Sequence, residues 1–293
     1  MFSGSLTALV TPFKDGAVDQ PAFEKFVEWQ IAQGTNGLVA CGTTGEASTL
    51  GTSEHIDVMK MTVDVAAGRV PVIAGIGSNN TASAVYMARE AQKVGADGVL
   101  AVTPYYNKPS QEGMLQHFQL VAQAIDIKVI LYNIPGRSVV DIDLDTMQRL
   151  AQIPNIVGLK DATSDISRIT EYKDKCGDSF IQLSGDDPTA LAHWVHGGQG
   201  CISVASNIAP AQCAAMHAAC AQGEFTKARA IHETLDRLFK DLFLDASPAP
   251  TKYALSLLGM MGEAVRLPIT RCSEGTKRAV QAAMTRAGVE FGQ

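Results

Sequence analysis

The hydrophobic pattern of the chain alternates between two kinds of segment. Short apolar runs rich in Val, Ile, Leu and Ala recur eight times, beginning at residues 6, 37, 70, 97, 128, 156, 180 and 201. Most of these runs are continuous instead of alternating, which is typical of strands that are buried on both faces of a parallel sheet. The pattern therefore predicts eight parallel strands.

The segments between these runs have the apolar spacing and the end signals of helices. Asp19 can cap the start of one helix, Pro21 then lies in its first turn, and Gly34 can end it. The segment that begins near Asn79 repeats this scheme and ends at Gly95. Eight strand-then-helix units predict an α/β fold, a (β/α)8 TIM barrel, better than an open doubly wound sheet of five or six strands.

A long helical segment follows the eighth apolar run. It is far longer than the single helix that closes a barrel of this kind. We therefore expect the barrel, with the catalytic site, to span residues 1–223. A C-terminal helical subdomain is then expected to span residues 224–293.

Composition narrows the class of protein. The chain has 24 basic and 30 acidic residues, a net charge of -6 and no basic tract, which argues against a nucleic-acid partner. No segment approaches the roughly 18 consecutive apolar residues of a membrane helix, and the amino terminus lacks the features of a signal peptide. Six scattered cysteines without a C-x-x-C pair indicate free thiols in a reducing compartment. We expect a cytoplasmic protein that does not bind membranes.

Two patterns could indicate a metal or a nucleotide. Cys213, His217 and Cys220 share one helical face, but their alanine-rich surroundings favour small thiols in a core. The run from Gly75 departs from G-x-G-x-x-G, because Asn80 stands at the third glycine and no acidic residue follows at a strand end. The histidines all fall in predicted helices. We expect neither a metal nor a nucleotide cofactor.

Lys160 directly follows the apolar run IVGL. A lysine at a strand end can simply extend its head to water. An amine in an apolar pocket is instead held in its neutral form, which attacks ketones to give a Schiff base. Active sites of such barrels lie at the carboxyl ends of the strands, where Thr43, Thr44, Tyr132 and Arg137 also fall. This convergence favours a catalytic Lys160.

Five motifs occur in order along nearly the whole chain: GTTGE (42–46), TPYYNKPSQEG (103–113), YNIPGR (132–137), GLKDAT (158–163) and LSGDD (183–187). Together they resemble the 4-hydroxy-tetrahydrodipicolinate synthase, or dihydrodipicolinate synthase, family. The resemblance implies a lyase that condenses pyruvate with L-aspartate 4-semialdehyde, the first committed step towards diaminopimelate and lysine. It also implies that the covalent Schiff base replaces any cofactor.

The resemblance also implies the catalytic residues. Lys160 matches the lysine that binds pyruvate covalently, and Tyr132, Thr43 and Tyr106 match a proton relay. Tyr106 is expected to reach into the site of the neighbouring subunit. A dimer is then the smallest active unit, and a homotetramer made of two dimers is the expected assembly.

Substrate binding is implied in the same way. Thr43 and Thr44 match the positions that hold the pyruvate carboxylate, Arg137 receives the carboxylate of the second substrate, and the carbonyl of Ile202 lies near the lysine. Related aldolases, such as N-acetylneuraminate lyase or 2-keto-3-deoxy-sugar acid aldolases, share the pyruvate chemistry. Arg137 favours a substrate with a second carboxylate over a polyol. A non-catalytic barrel that binds a 2-oxo acid is a further alternative.

Feedback-inhibited members of the family bind lysine at the tight dimer interface. A histidine and a glutamate of that pocket are replaced here by Thr52 and Ser83. Other positions still suit an allosteric pocket: Ala47, Ser48, His55, Asn79 and Tyr105. Without the glutamate, a cationic effector loses a charge-assisted partner that often contributes about 1.5 to 3 kcal/mol. We therefore expect lysine to inhibit this enzyme weakly or not at all.

Overall fold

The computed structural model describes residues 2–292 and closes eight parallel strands into a barrel. The strands are β1 (Gly4–Ala8), β4 (Gly37–Ala40), β5 (Val72–Gly75), β6 (Gly98–Val102), β7 (Lys128–Asn133), β8 (Ile156–Asp161), β9 (Ile181–Ser184) and β10 (Gly200–Ser203). Their order around the barrel follows the chain, and β1 closes it by pairing with both β4 and β10. The predicted TIM barrel is confirmed.

Helices follow the strands and cover the barrel. They are α1 (Gln20–Ala32), α2 (Thr52–Ala66), α3 (Thr81–Lys93), α4 (Gln111–Gln123), α5 (Pro135–Ser138), α6 (Leu144–Leu150), α7 (Arg168–Cys176), α8 (Ala190–Val195), α9 (Pro210–Ala221), α10 (Phe225–Asp241), α11 (Ala249–Leu257) and α12 (Glu274–Arg286). The predicted end signals are present: Asp19 caps α1 by accepting a hydrogen bond from the Ala22 N–H, and Gly34 follows the helix with a φ of +89°. Asn80 caps α3 in the same way, by accepting hydrogen bonds from the Ala82 and Ser83 N–H groups.

The core has two layers. One fills the barrel and includes Leu6, Ile73 and Leu183, while a larger layer lies between the barrel and its helices. Phe2 is buried at the amino ends of β6 and β7, beside Gly98 and Lys128. The packed interior closes this end, so the opposite end, formed by the carboxyl ends of the strands, is the one available for a site.

A short hairpin precedes α1 and was not predicted. It pairs β2 (Phe13–Lys14) with β3 (Ala17–Val18), and its turn residues Asp15 and Gly16 both have positive φ. Asp-Gly between two extended segments is a strong hairpin signal. Strands of two residues are too short to give an apolar run, so the hydrophobic pattern does not indicate this hairpin.

The helices α10, α11 and α12 come after the barrel and share its outer core through side chains such as Leu235, Leu255 and Val280. The division at residue 223 stays a prediction, because a continuous core does not by itself define a boundary. Within residues 2–292, none of the helices is long and apolar enough to cross a membrane.

Candidate active site

Lys160 and Tyr132 are neighbours on adjacent strands. They are paired in the register of β7 and β8, so both side chains point to the same face, the barrel interior. Each residue is only 6% exposed. The Lys160 Nζ atom lies 4.2 Å from the centroid of the Tyr132 ring. Among residues 2–292, no carboxylate forms an ion pair with this amine and no acceptor forms a hydrogen bond with it.

Gly185 makes room for the Lys160 side chain. A Cβ atom at position 185 would lie 2.9 Å from Lys160 Cε and 2.8 Å from the Ala162 Cβ, closer than packed carbons approach. The Gly185 N–H also donates a hydrogen bond to the Asp161 carbonyl at 2.6 Å. The glycine of the LSGDD motif thus determines how the lysine lies in the barrel.

The loop after β4 carries the GTTGE motif. Thr43 is exposed and Thr44 is buried. The Thr11 hydroxyl donates a hydrogen bond to the Gly45 carbonyl at 2.7 Å. Glu46 has a left-handed backbone with φ of +55° and is almost completely buried. The loop therefore has a defined conformation that depends on contacts made from outside it.

Arg137 lies on the short helix α5, directly after β7. The turn is held by a hydrogen bond that the Thr103 hydroxyl donates to the Ser138 hydroxyl at 2.9 Å. The guanidinium is exposed, and no ion pair engages it within the described part of the chain. A free guanidinium at this place can bind a carboxylate with two hydrogen bonds.

A cavity of about 580 Å³ opens at the carboxyl ends of the strands. Thr43, Tyr132 and Arg137 line it, so the fold brings three of the predicted site residues together. Lys160 does not line the cavity, although its amine lies against the Tyr132 ring that does. Thr44 also lies outside the lining. Ile202 is buried in the barrel interior in the same cluster as Tyr132.

Tyr106 does not join this group within its own chain. Its side chain is 87% exposed and its φ is +73°, an uncommon backbone conformation for an aromatic residue. The adjacent Tyr105 instead lines the cavity. The role predicted for Tyr106 in the site of a neighbouring subunit stays a prediction.

The predicted effector residues lie on the same cavity, since Ala47, Ser48, His55 and Tyr105 line it with Thr52 and Ser83, whereas Asn79 does not. His55 Nε2 is 2.8 Å from the Gly75 carbonyl. Burial lowers the pKa of His55. Glu46 is the only carboxylate-bearing side chain among the described residues that line the cavity.

Sequence reasoning missed a second buried lysine. Lys252 on α11 is 0% exposed and pairs with Glu46 at 2.5 Å. The Arg266 N–H donates to the other carboxylate oxygen of Glu46 at 3.0 Å. A sequence signal did exist, because Lys252 is the only charged residue of α11, whose other residues are small, apolar or uncharged.

A second missed cluster lies behind Lys160. Asp161 points to the outer side of the strand, where Arg168 Nε is 3.8 Å from its carboxylate, and Arg168 also binds Asp141 through two hydrogen bonds. Burial raises the pKa of Asp161, against the opposing effect of hydrogen bonds from Thr163. These groups tie the end of β8 to the loop that follows Arg137.

The predicted helical position holds for five histidines, and His196 follows α8 directly as its C-cap. In residues 2–292 there is no group of three or more His, Cys, Asp or Glu side chains that could hold a metal ion. All six cysteines are free thiols. Cys213 and Cys220 are buried in two separate apolar clusters, each of which contains alanines, consistent with core residues.

Comparison with known proteins adds a decisive observation. The model of the dihydrodipicolinate synthetase family matches residues 1–287. The chain belongs to this family. The match covers nearly the whole sequence, so the barrel and the three helices after it are both included.

Relatives and solved structures of the family agree. A 4-hydroxy-tetrahydrodipicolinate synthase of Parvibaculum lavamentivorans is 54% identical over 99% of both chains. The crystal structure of dihydrodipicolinate synthase from Aquifex aeolicus has a TM-score of 0.97 at 43% identity, over 100% of both chains. The chloride-inhibited synthase from Acinetobacter baumannii, complexed with pyruvate, has a TM-score of 0.96 at 44% identity, over 99% of this chain and 100% of that one. The predicted family and the predicted enzyme class, a synthase of the lyase type, are confirmed.

Proposed function

We propose that this chain condenses pyruvate with L-aspartate 4-semialdehyde to 4-hydroxy-tetrahydrodipicolinate, in the synthesis of diaminopimelate and lysine, through a Schiff base on Lys160. Family membership over residues 1–287 supports the reaction. The observation that carries the mechanism is the buried Lys160 amine, which lies against Tyr132 without an anionic partner. A lysine amine that no carboxylate engages is available to attack the keto carbon of a substrate.

The first half of the reaction uses pyruvate alone. The Lys160 amine attacks the keto carbon, the resulting carbinolamine loses water, and the cationic Schiff base draws electrons from the adjacent methyl carbon. Loss of a proton from that carbon gives an enamine. Each of these steps moves a proton to or from the reacting atoms, so the site needs groups that relay protons. Tyr132, Thr43 and Tyr106 of the partner subunit act as that relay.

The second half forms the carbon–carbon bond. The enamine carbon attacks the aldehyde carbon of aspartate semialdehyde, and the new alkoxide takes a proton. The amino group of the second substrate then attacks the Schiff-base carbon, which closes the ring and releases the Lys160 amine. Arg137 holds the carboxylate of this substrate, and Thr43 and Thr44 hold that of pyruvate.

The chain acts without a cofactor, because the iminium supplies the electron sink that a metal or a prosthetic group would otherwise provide. We place it in the cytoplasm as a homotetramer of two tight dimers. The exposed Tyr106 supports a shared site, and six unpaired thiols support a reducing compartment. The carbonyl of Ile202 assists near Lys160.

Lysine inhibits this enzyme weakly or not at all. A cationic effector in the cavity would meet Thr52 and Ser83, which carry no charge. Glu46 offers no free carboxylate, since Lys252 and Arg266 already occupy both of its oxygens. Half-inhibition at submillimolar lysine would contradict this proposal, and activity unchanged by lysine is the expected result.

Borohydride reduction tests the covalent step. Wild-type protein reduced in the presence of pyruvate is expected to gain the mass of pyruvate less water plus two hydrogens. Lys160→Ala, treated in the same way, is expected to gain nothing. Absence of the wild-type adduct would favour a barrel that binds a 2-oxo acid without reacting with it.

A coupled assay tests the second substrate. Turnover is expected with pyruvate and aspartate 4-semialdehyde, and none with N-acetylmannosamine or a sugar-derived aldehyde. The Arg137→Ala variant is expected to raise KM for the semialdehyde while leaving pyruvate trapping intact. Faster turnover with a sugar aldehyde would reassign the chain to another pyruvate aldolase activity.

A further inference from the structure

Lys252, the second buried lysine, has three close partners. Lys252 Nζ donates to Glu46 Oε1 at 2.5 Å and to the Ala264 carbonyl at 2.7 Å, and it lies 4.0 Å from the centroid of the Phe13 ring. Carboxylate, carbonyl and aromatic face together replace the water that burial removes. Lys252 is also 0% exposed, so its amine is not accessible to a substrate.

Glu46 is the partner of Lys252 in this ion pair. Its two carboxylate oxygens accept from Lys252 Nζ and from the Arg266 backbone N–H, and its side chain is completely buried. Its left-handed φ of +55° costs conformational energy at a residue with a Cβ. The ion pair and this hydrogen bond offset that cost, so they help to impose the loop conformation at Glu46.

Arg266 extends the network to the next turn. Its guanidinium donates to the Thr49 carbonyl at 2.8 Å and binds both carboxylate oxygens of Glu54 at 2.8 and 2.6 Å. A further hydrogen bond reaches the Gly16 carbonyl in the turn of the hairpin. The Arg266 side chain also lies over the Phe13 ring at 4.2 Å, so this ring contacts both cations.

Three of these contacts reach one loop of the active site: the two to the Glu46 carboxylate and the one to the Thr49 carbonyl. Glu46 and Thr49 line the cavity with Thr43, and Glu46 stands only two residues after Thr44. The groups that hold them come from α11 and from the segment after it, more than 200 residues away in sequence. The C-terminal part of the chain thus reaches the loop expected to hold the pyruvate carboxylate.

We infer that Lys252 and Arg266 are positioning residues that set the conformation of loop 42–46, and with it the affinity for the substrate carboxylate. Neither touches substrate. The inference rests on the proposed function, because it assigns Thr43 and Thr44 to that carboxylate. A buried ion pair is weak evidence for stability alone, since well-packed apolar replacements are often neutral or stabilising.

Removing one charge of this pair, or both charges together, separates a positioning role from a contribution to stability. Lys252→Met leaves the Glu46 carboxylate buried and unpaired, so a defect in this variant could reflect unfolding. The double variant Lys252→Met with Glu46→Gln removes both charges and is expected to recover thermal stability towards wild type. Its KM for pyruvate is nevertheless expected to rise about 10- to 100-fold, while kcat at saturation changes much less.

A matched control is Lys60→Met, which removes an exposed lysine paired with Asp64 at the same 2.5 Å distance. Its KM is expected to stay within about twofold of wild type. If the double variant does not fold, Arg266→Met tests KM through the other contact, because it removes the guanidinium hydrogen bond to the Thr49 carbonyl and keeps the backbone N–H that binds Glu46. A folded variant with wild-type KM for pyruvate would overturn the inference, while turnover by the wild type would leave the proposed function intact.

Amide hydrogen exchange gives a readout that needs no activity. Faster exchange across residues 42–50 in the folded double variant, with β8 and α4 unchanged, is the expected result. Unchanged exchange in this loop would contradict the inference, even if the wild type failed to turn over.

Discussion

The two buried lysines of this protein lie in opposite chemical situations. Lys160, in the barrel interior, has an aromatic ring beside it and no anion. Lys252, beneath the loop after β4, has a carboxylate, a carbonyl and an aromatic ring. The comparison shows that burial alone does not decide what a lysine contacts: one amine is held by a carboxylate and a carbonyl, and the other has no anionic partner among the described residues.

The two positions also differ in what surrounds them. Beside Lys160 there is Gly185, which leaves room for the side chain, and Tyr132, which lines an open cavity. Around Lys252 the charged groups bond one another: Glu46 accepts from Lys252 and from the Arg266 N–H, and Glu54 accepts from the Arg266 guanidinium. One region is arranged around space for a substrate, and the other is arranged to exclude it.

The largest expected effect comes from removing the unpaired amine. Lys160→Ala is expected to lower kcat about 10⁴-fold or more, because it removes the amine on which the proposed Schiff base forms. A steady-state coupled assay measures this loss. A thermal midpoint close to that of wild type would establish that the variant is folded. Turnover within tenfold of wild type would remove the distinction between the two lysines.

Removal of the paired amine is expected to act on stability first. Lys252→Met is expected to lower the free energy of unfolding by about 3 to 5 kcal/mol, because Glu46 is left as an uncompensated buried charge. Chemical denaturation at fixed protein concentration measures this change. The comparison would fail if the single variant were as stable as wild type, since Lys252 would then not be partnering a buried anion.

A smaller effect is expected at Gly185. An added methyl group would approach Lys160 Cε to 2.9 Å, so the lysine must move. Gly185→Ala is expected to cost about 1 to 3 kcal/mol of stability, and kcat is expected to fall about 10- to 100-fold. Gly275→Ala, at an exposed position in α12, is the control: it is expected to leave kcat unchanged and to raise stability by up to about 1 kcal/mol. A wild-type kcat in Gly185→Ala would mean that the lysine position is not critical.

The smallest expected effect is a pH dependence of stability. Burial lowers the pKa of Lys252 to about 8, although the attraction of Glu46 opposes this. In the unfolded chain the same lysine releases its proton near pH 10.4. Unfolding therefore takes up a proton between these values, and Lys252 makes the free energy of unfolding rise with pH across this window.

We expect this contribution to amount to about 1 to 2 kcal/mol in wild type. It should be absent from the double variant Lys252→Met with Glu46→Gln. Denaturation curves at pH 8 and pH 10 for both proteins measure the difference. Identical slopes would show that the Lys252 proton is not displaced by burial.

The barrel could be predicted because its signal is local. Eight apolar runs and helix ends such as Asp19 and Gly34 follow from propensity and burial along the sequence itself. The hairpin at Asp15 and Gly16 also has a sequence signal, because Asp-Gly is a frequent hairpin turn. Its strands are too short to show an alternating pattern, so it was not predicted.

The candidate site was predictable only in part. Thr43, Tyr132 and Arg137 line one cavity as expected, because strand ends meet at one end of a barrel. Lys252 was missed, since the partner that explains its burial stands 206 residues away in the sequence. Such a pairing leaves no local pattern, and only the fold reveals it.

The most direct test of the account is to locate the adduct. Wild-type protein is reduced with borohydride in the presence of pyruvate, digested, and mapped by mass spectrometry of its peptides. The adduct is predicted on Lys160, with Lys252 unmodified in the same digest. An adduct on Lys252, or on surface lysines with Lys160 unmodified, would contradict the claim that the unpaired buried amine is the reactive one.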